Sequence, residues 1–179
     1  MLQDIREVLI SKEAIEAKTK ELAERISRDY KEKDLLVVGV LKGSVIFASE
    51  LIKNITIPCE IDFMAVSSYG SSSETTGVVR ILKDLDSEIS RKHILIVEDI
   101  VDSGVTLSYL LNYLKTRNAS SVEIASLLTK PSRRKVDIDC KYVGFETPDE
   151  FLVGYGLDYA EKYRNLPFIG ILKREVYEK

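Results

Sequence analysis

One segment of the chain places acidic, hydroxyl and glycine residues directly after an apolar stretch. The segment Ile94–Leu111 reads ILIVEDIVDSGVTLSYLL, and its part Asp102–Thr106 precedes a predicted helix. The first N–H groups of a helix have no partner within it and carry partial positive charge. Gly104 lets the backbone approach an anion closely, and the hydroxyls of Ser103 and Thr106 add donors. This combination predicts a site for a phosphate monoester that needs no lysine.

Two adjacent carboxylates, Glu98 and Asp99, end the apolar strand and would repel a phosphate bound beside them. We interpret them as acceptors for sugar hydroxyls, or as direct or water-mediated supports for Mg²⁺. Hydroxyl acceptors followed by phosphate donors match a ribose 5-phosphate held along one loop. Asp102 would then lie near the reacting end of the sugar as an acid/base group. The alternative is an acidic turn that caps a helix; loops of the GxxxxGK[ST] and GxGxxG types are absent from the sequence.

Apolar segments of strand length alternate with segments of helical periodicity along the chain. We predict strands at 34–41, 57–66, 78–83, 93–99, 121–128 and 140–145, short strands at 151–155 and 169–172, and helices at about 11–31, 44–53 and 107–115. This alternation predicts an α/β fold with a mostly parallel sheet that helices cover on both faces. Ligands of such sheets bind at the carboxyl ends of the strands, where the acidic segment lies.

Three other segments have residue types that suit a ligand site. Gly39–Ser44 (GVLKGS) offers N–H groups and one lysine to an anion, although a plain strand-to-helix turn explains it as well. Ser67–Gly77 (SSYGSSSETTG) is polar and rich in glycine, as expected of either a solvated hairpin loop or a mobile lid that excludes water. Lys130 follows a predicted core strand, a place where many lysines are simply solvated.

Composition and charge exclude several classes of protein. With 179 residues, 45% of them hydrophobic and 31% charged, the chain is typical of one globular domain that spans 1–179. No apolar run reaches the roughly 20 residues of a membrane helix, and charges occur throughout the N-terminal segment, so neither a membrane nor a secretory segment is predicted. The net charge of -3 does not favour nucleic acid. Two isolated cysteines and the single histidine argue against a disulfide framework or a His-rich metal centre, and we expect a cytoplasmic protein.

At the level of whole motifs, the Glu98–Thr106 segment resembles the phosphoribosyl pyrophosphate (PRPP) motif of type I phosphoribosyltransferases. From about Ile10 to Tyr177 the chain is similar to the bacterial hypoxanthine-guanine phosphoribosyltransferases. The resemblance implies the type I fold, with a core at about 34–145, a small hood from about 1–15 and 146–179, and a flexible lid at 67–77. It also implies purine salvage in a homodimer or homotetramer: a Mg²⁺-dependent transfer of the 5-phosphoribosyl group from PRPP to N9 of the 6-oxopurine bases hypoxanthine and guanine, which gives IMP or GMP and pyrophosphate.

The resemblance also implies roles for individual residues, with Asp102 as the catalytic group that takes the proton from purine N7. PRPP and its 5-phosphate would be bound by Glu98, Asp99, Asp102, Ser103, Gly104, Val105 and Thr106. Pyrophosphate would be bound by Lys42, Gly43 and Arg164, with a cis peptide bond between Leu41 and Lys42. The purine would be bound by Lys130, Phe151, Leu152 and Asp158, the lid would carry Ser68 and Tyr69, and the metal would be held by Glu98, Asp99 and Asp158. Val105 stands where some relatives carry a lysine.

Two other functions stay open at this point. PRPP-motif regulators of pyrimidine genes have about this length and bind messenger RNA. Such a regulator should present a basic concave face and lack the purine block Phe151–Asp158, so the net charge of -3 and the intact block disfavour it. The second alternative is a sister transferase for xanthine or another base.

Overall fold

The computed structural model describes residues 1–68 and 79–178. Their centre is a six-stranded sheet with the order β4-β3-β2-β5-β6-β7. Its strands are β2 (Leu35–Leu41), β3 (Glu60–Ser68), β4 (Val79–Lys83), β5 (His93–Val101), β6 (Ser121–Thr129) and β7 (Tyr142–Glu146). All neighbours are parallel except β4, which runs antiparallel to β3. The predicted mostly parallel sheet is therefore confirmed.

Helices cover both faces of this sheet, because its central strands are apolar on both sides. Leu35 and Val37 of β2 belong to one buried cluster, and Leu36 and Val38 belong to another. This alternation follows from the two-residue period of a strand. The first cluster includes side chains of α1 (Lys12–Asp29) and α2 (Val45–Asn54), and the second includes side chains of α3 (Val105–Lys115).

Segments from the two ends of the chain form a second sheet of three antiparallel strands. It consists of β1 (Ile5–Ile10), β9 (Ile169–Leu172) and β8 (Leu152–Val153), in that order, and α4 (Arg174–Tyr177) follows β9. The sequence did not predict β1 or α4. Strand β1 (IREVLI) mixes charged and apolar residues and is largely exposed, so it lacks the apolar period of a core strand. Strand β3 begins at Glu60 rather than at residue 57, and Pro58, which precedes it, has no N–H for a ladder.

The predicted lid, residues 67–77, is described only at its start. Ser67 and Ser68 end β3, whereas Tyr69 and the rest of this segment lie outside the described residues.

None of the helices in residues 1–68 and 79–178 combines the length and the apolarity needed to span a bilayer.

Candidate active site

The candidate site lies where β2, β5 and β6 end, at one edge of the parallel sheet. Strand β2 leads into Lys42 and Gly43, and its last peptide bond, Leu41–Lys42, is cis, as the resemblance implied. Strand β5 contains the two acidic residues and ends at Val101. Strand β6 leads into Lys130, whose backbone N–H donates to the Val101 carbonyl at 2.9 Å. Parallel pairing thus brings three predicted binding segments to the same edge.

The loop after β5 forms a cavity at the start of α3. Gly104 is the N-cap of this helix and adopts the left-handed conformation (φ 83°), which glycine reaches without steric cost. No side chain caps the helix, and Ser103 Oγ accepts only a long hydrogen bond (3.4 Å) from Val105 N–H. The cavity measures about 190 Å³ and is lined by Glu98, Ile100, Asp102, Ser103, Gly104, Thr106 and Leu107. Its dimensions and its helix N-terminus suit a phosphate group.

The two acidic residues of β5 are adjacent, and Glu98 is buried whereas Asp99 is partly buried. Burial raises the pKa of the Glu98 carboxyl well above its ordinary value, and the charge of Asp99 raises it further. Burial also raises the pKa of Asp99, while the Ile100 N–H, which donates to Asp99 Oδ1 at 2.8 Å, opposes that change. A ligand that brings hydroxyl donors or positive charge would therefore stabilise the charged form of both carboxyl groups.

The raised pKa of Glu98 predicts a pH dependence of stability. Above the ordinary pKa of 4.5, the folded state binds this proton more tightly than the unfolded state does. The protonated Glu98 carboxyl therefore makes its full contribution to the stability of the fold below pH 4.5. This contribution is lost as the pH rises through the raised pKa of the folded state. In metal-free buffer, the Glu98→Gln variant should gain stability relative to the wild type by up to about 1.4 kcal/mol per pH unit within that window.

Urea denaturation at several pH values between about pH 5 and pH 8 measures the difference in the free energy of unfolding between the variant and the wild type. Glu88→Gln is the matched control, because it makes the same chemical change at an exposed position. A difference for Glu98→Gln that varies with pH no more than the difference for this control would contradict the assigned state of the Glu98 carboxyl.

Glycines allow three segments of the site to touch. A Cβ on Gly43 would overlap the Asp99 carboxylate, and a Cβ on Gly156 would overlap the Gly43 carbonyl. Hence the turn after β2 lies between the acidic residues of β5 and the loop that follows β8. Close packing of backbone on carboxylate explains why glycine occupies position 43.

Arg164 organises the loop after β8 around this contact. Its Nη1 donates to the Gly156 carbonyl at 2.7 Å, and its Nη2 lies 3.0 Å from Asp158 Oδ1. Its Nε is buried and has no acceptor within the described part of the chain. Asp99 is close enough for the charges of Arg164 and Asp158 to act on its pKa in opposite directions. The Nζ of the exposed Lys42 lies 3.1 Å from Oε2 of Glu161, which belongs to the same loop as Arg164. The predicted pyrophosphate residues are therefore neighbours.

We call the cavity at the start of α3 the phosphate cavity, after the ligand predicted for it. A second cavity of about 430 Å³ adjoins it and is called the purine cavity. Its lining includes every residue that the sequence predicted for the purine, and in full it comprises Ile100, Asp102, Lys130, Arg133, Asp149, Glu150, Phe151, Leu152, Leu157, Asp158 and Tyr177. A larger cavity of about 600 Å³ lies between α1 and α2, but none of the predicted site residues lines it. The smaller cavity is the better candidate, because chemically useful side chains converge on it.

Lys130 and Phe151 define two walls of this cavity. Burial lowers the pKa of Lys130, while the charge of Asp102 acts in the opposite direction. The Lys130 ammonium donates to the Glu150 carbonyl at 2.7 Å. The Phe151 ring stacks on Tyr177 with centroids 4.7 Å apart and meets the edge of Tyr159 at 5.5 Å. These contacts fix an apolar ring next to a buried cation, which suits a flat base with a polar edge.

Sequence reasoning missed six residues of the purine cavity, among them Asp149 and Glu150, which precede Phe151. Ile100 lies between the acidic pair Glu98–Asp99 and Asp102, and its apolar type in that position was the available signal. Leu157 lies within the predicted purine block but was not singled out. Arg133 and Tyr177 reach the cavity through a 3₁₀ turn and through α4, neither of which has a periodic pattern.

The proposed metal ligands do not form a complete protein site. Among residues 1–68 and 79–178, no group of three or more His, Cys, Asp or Glu side chains could hold a metal ion. Mg²⁺ usually takes one or two carboxylates and completes its shell with water and substrate phosphates. Glu98, which is buried, and Asp99, which is partly buried, fit that pattern, since a cation would offset the cost of removing their charges from water.

Comparisons with known proteins agree with this geometry. The family described as phosphoribosyl transferase domain matches residues 8–160. A hypoxanthine-guanine phosphoribosyltransferase of Bacillus subtilis is 54% identical over 178 residues, which cover 99% of each chain. A crystal structure of a hypoxanthine phosphoribosyltransferase from Staphylococcus aureus superimposes with a TM-score of 0.98 at 53% identity, over 100% of this chain and 97% of that one. The corresponding Trypanosoma cruzi structure has a TM-score of 0.93 at 38% identity, over 98% and 95%. The predicted type I fold is thus confirmed, and the chain belongs to the phosphoribosyltransferase family and, within it, to the hypoxanthine-guanine phosphoribosyltransferases.

Proposed function

We propose that the chain acts in purine salvage and transfers the 5-phosphoribosyl group of PRPP to N9 of hypoxanthine or guanine. The products are IMP or GMP and pyrophosphate. The observation that carries this proposal is the position of Asp102, which lines both the phosphate cavity and the purine cavity. A nucleoside monophosphate joins a base to a phosphorylated sugar, so its two ends need adjoining cavities with a shared wall.

The purine would lie between Ile100 and Phe151 with its oxygen-bearing edge toward Lys130. All three residues line the cavity, and two of them offer apolar surface to the base. The Lys130 ammonium can donate to an exocyclic oxygen at C6, whereas a 6-amino group offers it no acceptor. This arrangement supports a preference for 6-oxopurines over adenine.

The reaction forms one bond and breaks another at C1 of the ribose. The purine nitrogen N9 attacks C1, and the bond from C1 to the pyrophosphate oxygen breaks with its electron pair on that oxygen. Asp102 accepts the proton of N7, so the base is neutral in the product. The amides at the start of α3 hold the 5-phosphate, and Lys42, Gly43 and Arg164 receive the departing pyrophosphate. Alignment between the two cavities supplies much of the rate gain.

Mg²⁺ would be held by Glu98, Asp99 and Asp158, with water and PRPP oxygens as the remaining ligands. When bound, it neutralises charge on the pyrophosphate and improves it as a leaving group. We also propose a cytoplasmic location and a homodimer or homotetramer. The oligomer is supported by the Trypanosoma cruzi relative, whose C-terminal region is described as affecting its oligomeric state and enzymatic activity.

A purine panel tests the proposed function. The protein is incubated with PRPP, Mg²⁺ and one of hypoxanthine, guanine, xanthine or adenine, and nucleotide formation is followed by chromatography. We expect IMP and GMP, and no AMP. Product from xanthine alone would indicate the sister transferase. The relatives named above do not support the alternative of an RNA-binding regulator.

Lys130→Ser should weaken the choice between 6-oxopurines and adenine. The variant loses a charge-assisted hydrogen bond, so KM for hypoxanthine should rise about 10- to 100-fold. The preference for hypoxanthine over adenine should shrink by a similar factor. Steady-state kinetics with both bases measures the effect, and Lys135→Ser, an exposed lysine on the same loop, is the control. An unchanged KM for hypoxanthine together with no activity on adenine would exclude this role of Lys130.

A further inference from the structure

Arg133 contacts the carboxylate at which the two cavities meet. Its Nε lies 3.0 Å from Asp102 Oδ1, and its Nη1 donates to Asp149 Oδ1 at 3.3 Å. Arg133 ends the 3₁₀ turn Pro131–Arg133, which follows Lys130 directly. The guanidinium therefore bridges two carboxylates in the wall of the purine cavity, which all three side chains line.

The contact between Arg133 and Asp102 is an ion pair without hydrogen-bond geometry. Asp102 Oδ1 is buried and accepts no hydrogen bond from the described residues, although the guanidinium nitrogen is 3.0 Å away. Charge alone attracts a guanidinium to a carboxylate over this distance. Arg133 thus restrains the Asp102 side chain through the buried Oδ1 and leaves the lone pairs of the other carboxylate oxygen, Oδ2, to a ligand.

This ion pair is expected to contribute little to the stability of the fold. The side chains of Arg133 and Asp102 are 52% and 43% exposed, and exposed ion pairs have small effects on stability. The ion pair lies, however, in the wall of the purine cavity, next to the groups that react in the proposed mechanism. The effect of Arg133 should therefore be found in the reaction rather than in folding.

The other charged side chains near Asp102 either interact with partners of their own or lie farther away along the cavity walls. The Lys130 ammonium is bound to the Glu150 carbonyl. Glu98 lines the phosphate cavity, and Asp158 is paired with Arg164. Among the described residues, Arg133 is the cation in ion-pair contact with Asp102.

We propose that Arg133 is a positioning residue of the transfer reaction, which holds the Asp102 carboxylate by its buried Oδ1 so that the other oxygen, Oδ2, can accept the proton of purine N7. This inference rests on the proposed function and names the side chain that orients its base. Arg133 does not itself exchange a proton with the substrate, because a guanidinium stays charged in proteins. Its contribution is to keep one rotamer of Asp102 populated while the purine binds.

Arg133→Ala tests this role through the rate of the chemical step. The single-turnover rate of IMP formation should fall about 10- to 100-fold, because a misplaced base costs that order of rate. A single turnover is used since product release limits the steady-state rate of many enzymes. Dissociation constants for hypoxanthine and PRPP should change much less than the rate. Arg133→Lys, which keeps a cation, should recover part of the loss, and Lys135→Ala, which removes a neighbouring exposed charge, should leave the rate unchanged.

A double variant separates action through Asp102 from a direct contact with substrate. If Arg133 acts through Asp102, Arg133→Ala should have no further effect in the Asp102→Asn background. Losses that multiply in the double variant, or an unchanged rate in Arg133→Ala, would overturn this inference alone. A wild-type protein that forms no IMP from hypoxanthine and PRPP would overturn the proposed function and the inference together.

Discussion

Asp102→Asn is expected to lower the rate of phosphoribosyl transfer about 10²- to 10⁴-fold, the range for loss of a general base. Asparagine has nearly the same shape, but its amide cannot accept the N7 proton. The affinity for PRPP should change less, because the proposed phosphate site relies mainly on backbone amides at the start of α3. Single-turnover formation of IMP, together with PRPP binding measured by calorimetry, distinguishes the two effects.

Asp137→Asn is the matched control for this experiment. Asp137 is an exposed aspartate in the loop after β6 and lines neither the purine nor the phosphate cavity. Its variant should turn over at the wild-type rate. Unchanged turnover in Asp102→Asn would remove Asp102 from the role of base, and an equal loss in both variants would indicate a general effect of charge.

Gly43→Ala should lower kcat/KM for PRPP on the order of 100-fold, the loss expected when reacting groups are misplaced by about 1 Å. The new methyl group would overlap the Asp99 carboxylate, so either the turn after β2 or the acidic side chain must move. The turn is enclosed on its other side, where Gly156 packs against the Gly43 carbonyl. Whichever of them moves, the predicted pyrophosphate residues and ribose residues lose their positions relative to each other. Initial rates at varied PRPP concentration measure the effect.

Thermal unfolding of a double variant tests whether steric overlap is the cause. The three atoms nearest to the methyl group of Gly43→Ala would belong to the Asp99 carboxylate. Asp99→Ala removes them, so Gly43→Ala should lower the unfolding temperature in the wild type and much less in the Asp99→Ala background. Equal decreases in both backgrounds would show that the overlap with Asp99 is not responsible.

Sequence predictions were most accurate where local pattern controls structure. The apolar runs of β2 and β5 have no other stable placement than a sheet interior, and both strands were predicted within two residues of their ends. The helix predicted at about 11–31 is α1, and its N-cap Ser11 accepts a hydrogen bond from the Ala14 N–H at 3.2 Å. Strand β1 was missed because two of its six residues are charged and interrupt the apolar pattern, and it is defined instead by pairing with β9 at the other end of the chain.

By itself, the sequence determined the kinds of groups in the site and the backbone that carries them. A glycine before α3, two acidic residues at the end of an apolar strand and a lysine after β6 are all local features. The tertiary structure decided which distant groups meet: Gly156 against Gly43, Tyr177 against Phe151, and Arg133 against Asp102. Periodicity reports which face of an element is apolar, but hydrophobic burial is non-directional and does not name a partner. Those contacts depend on chain topology and on the fit of side chains across it.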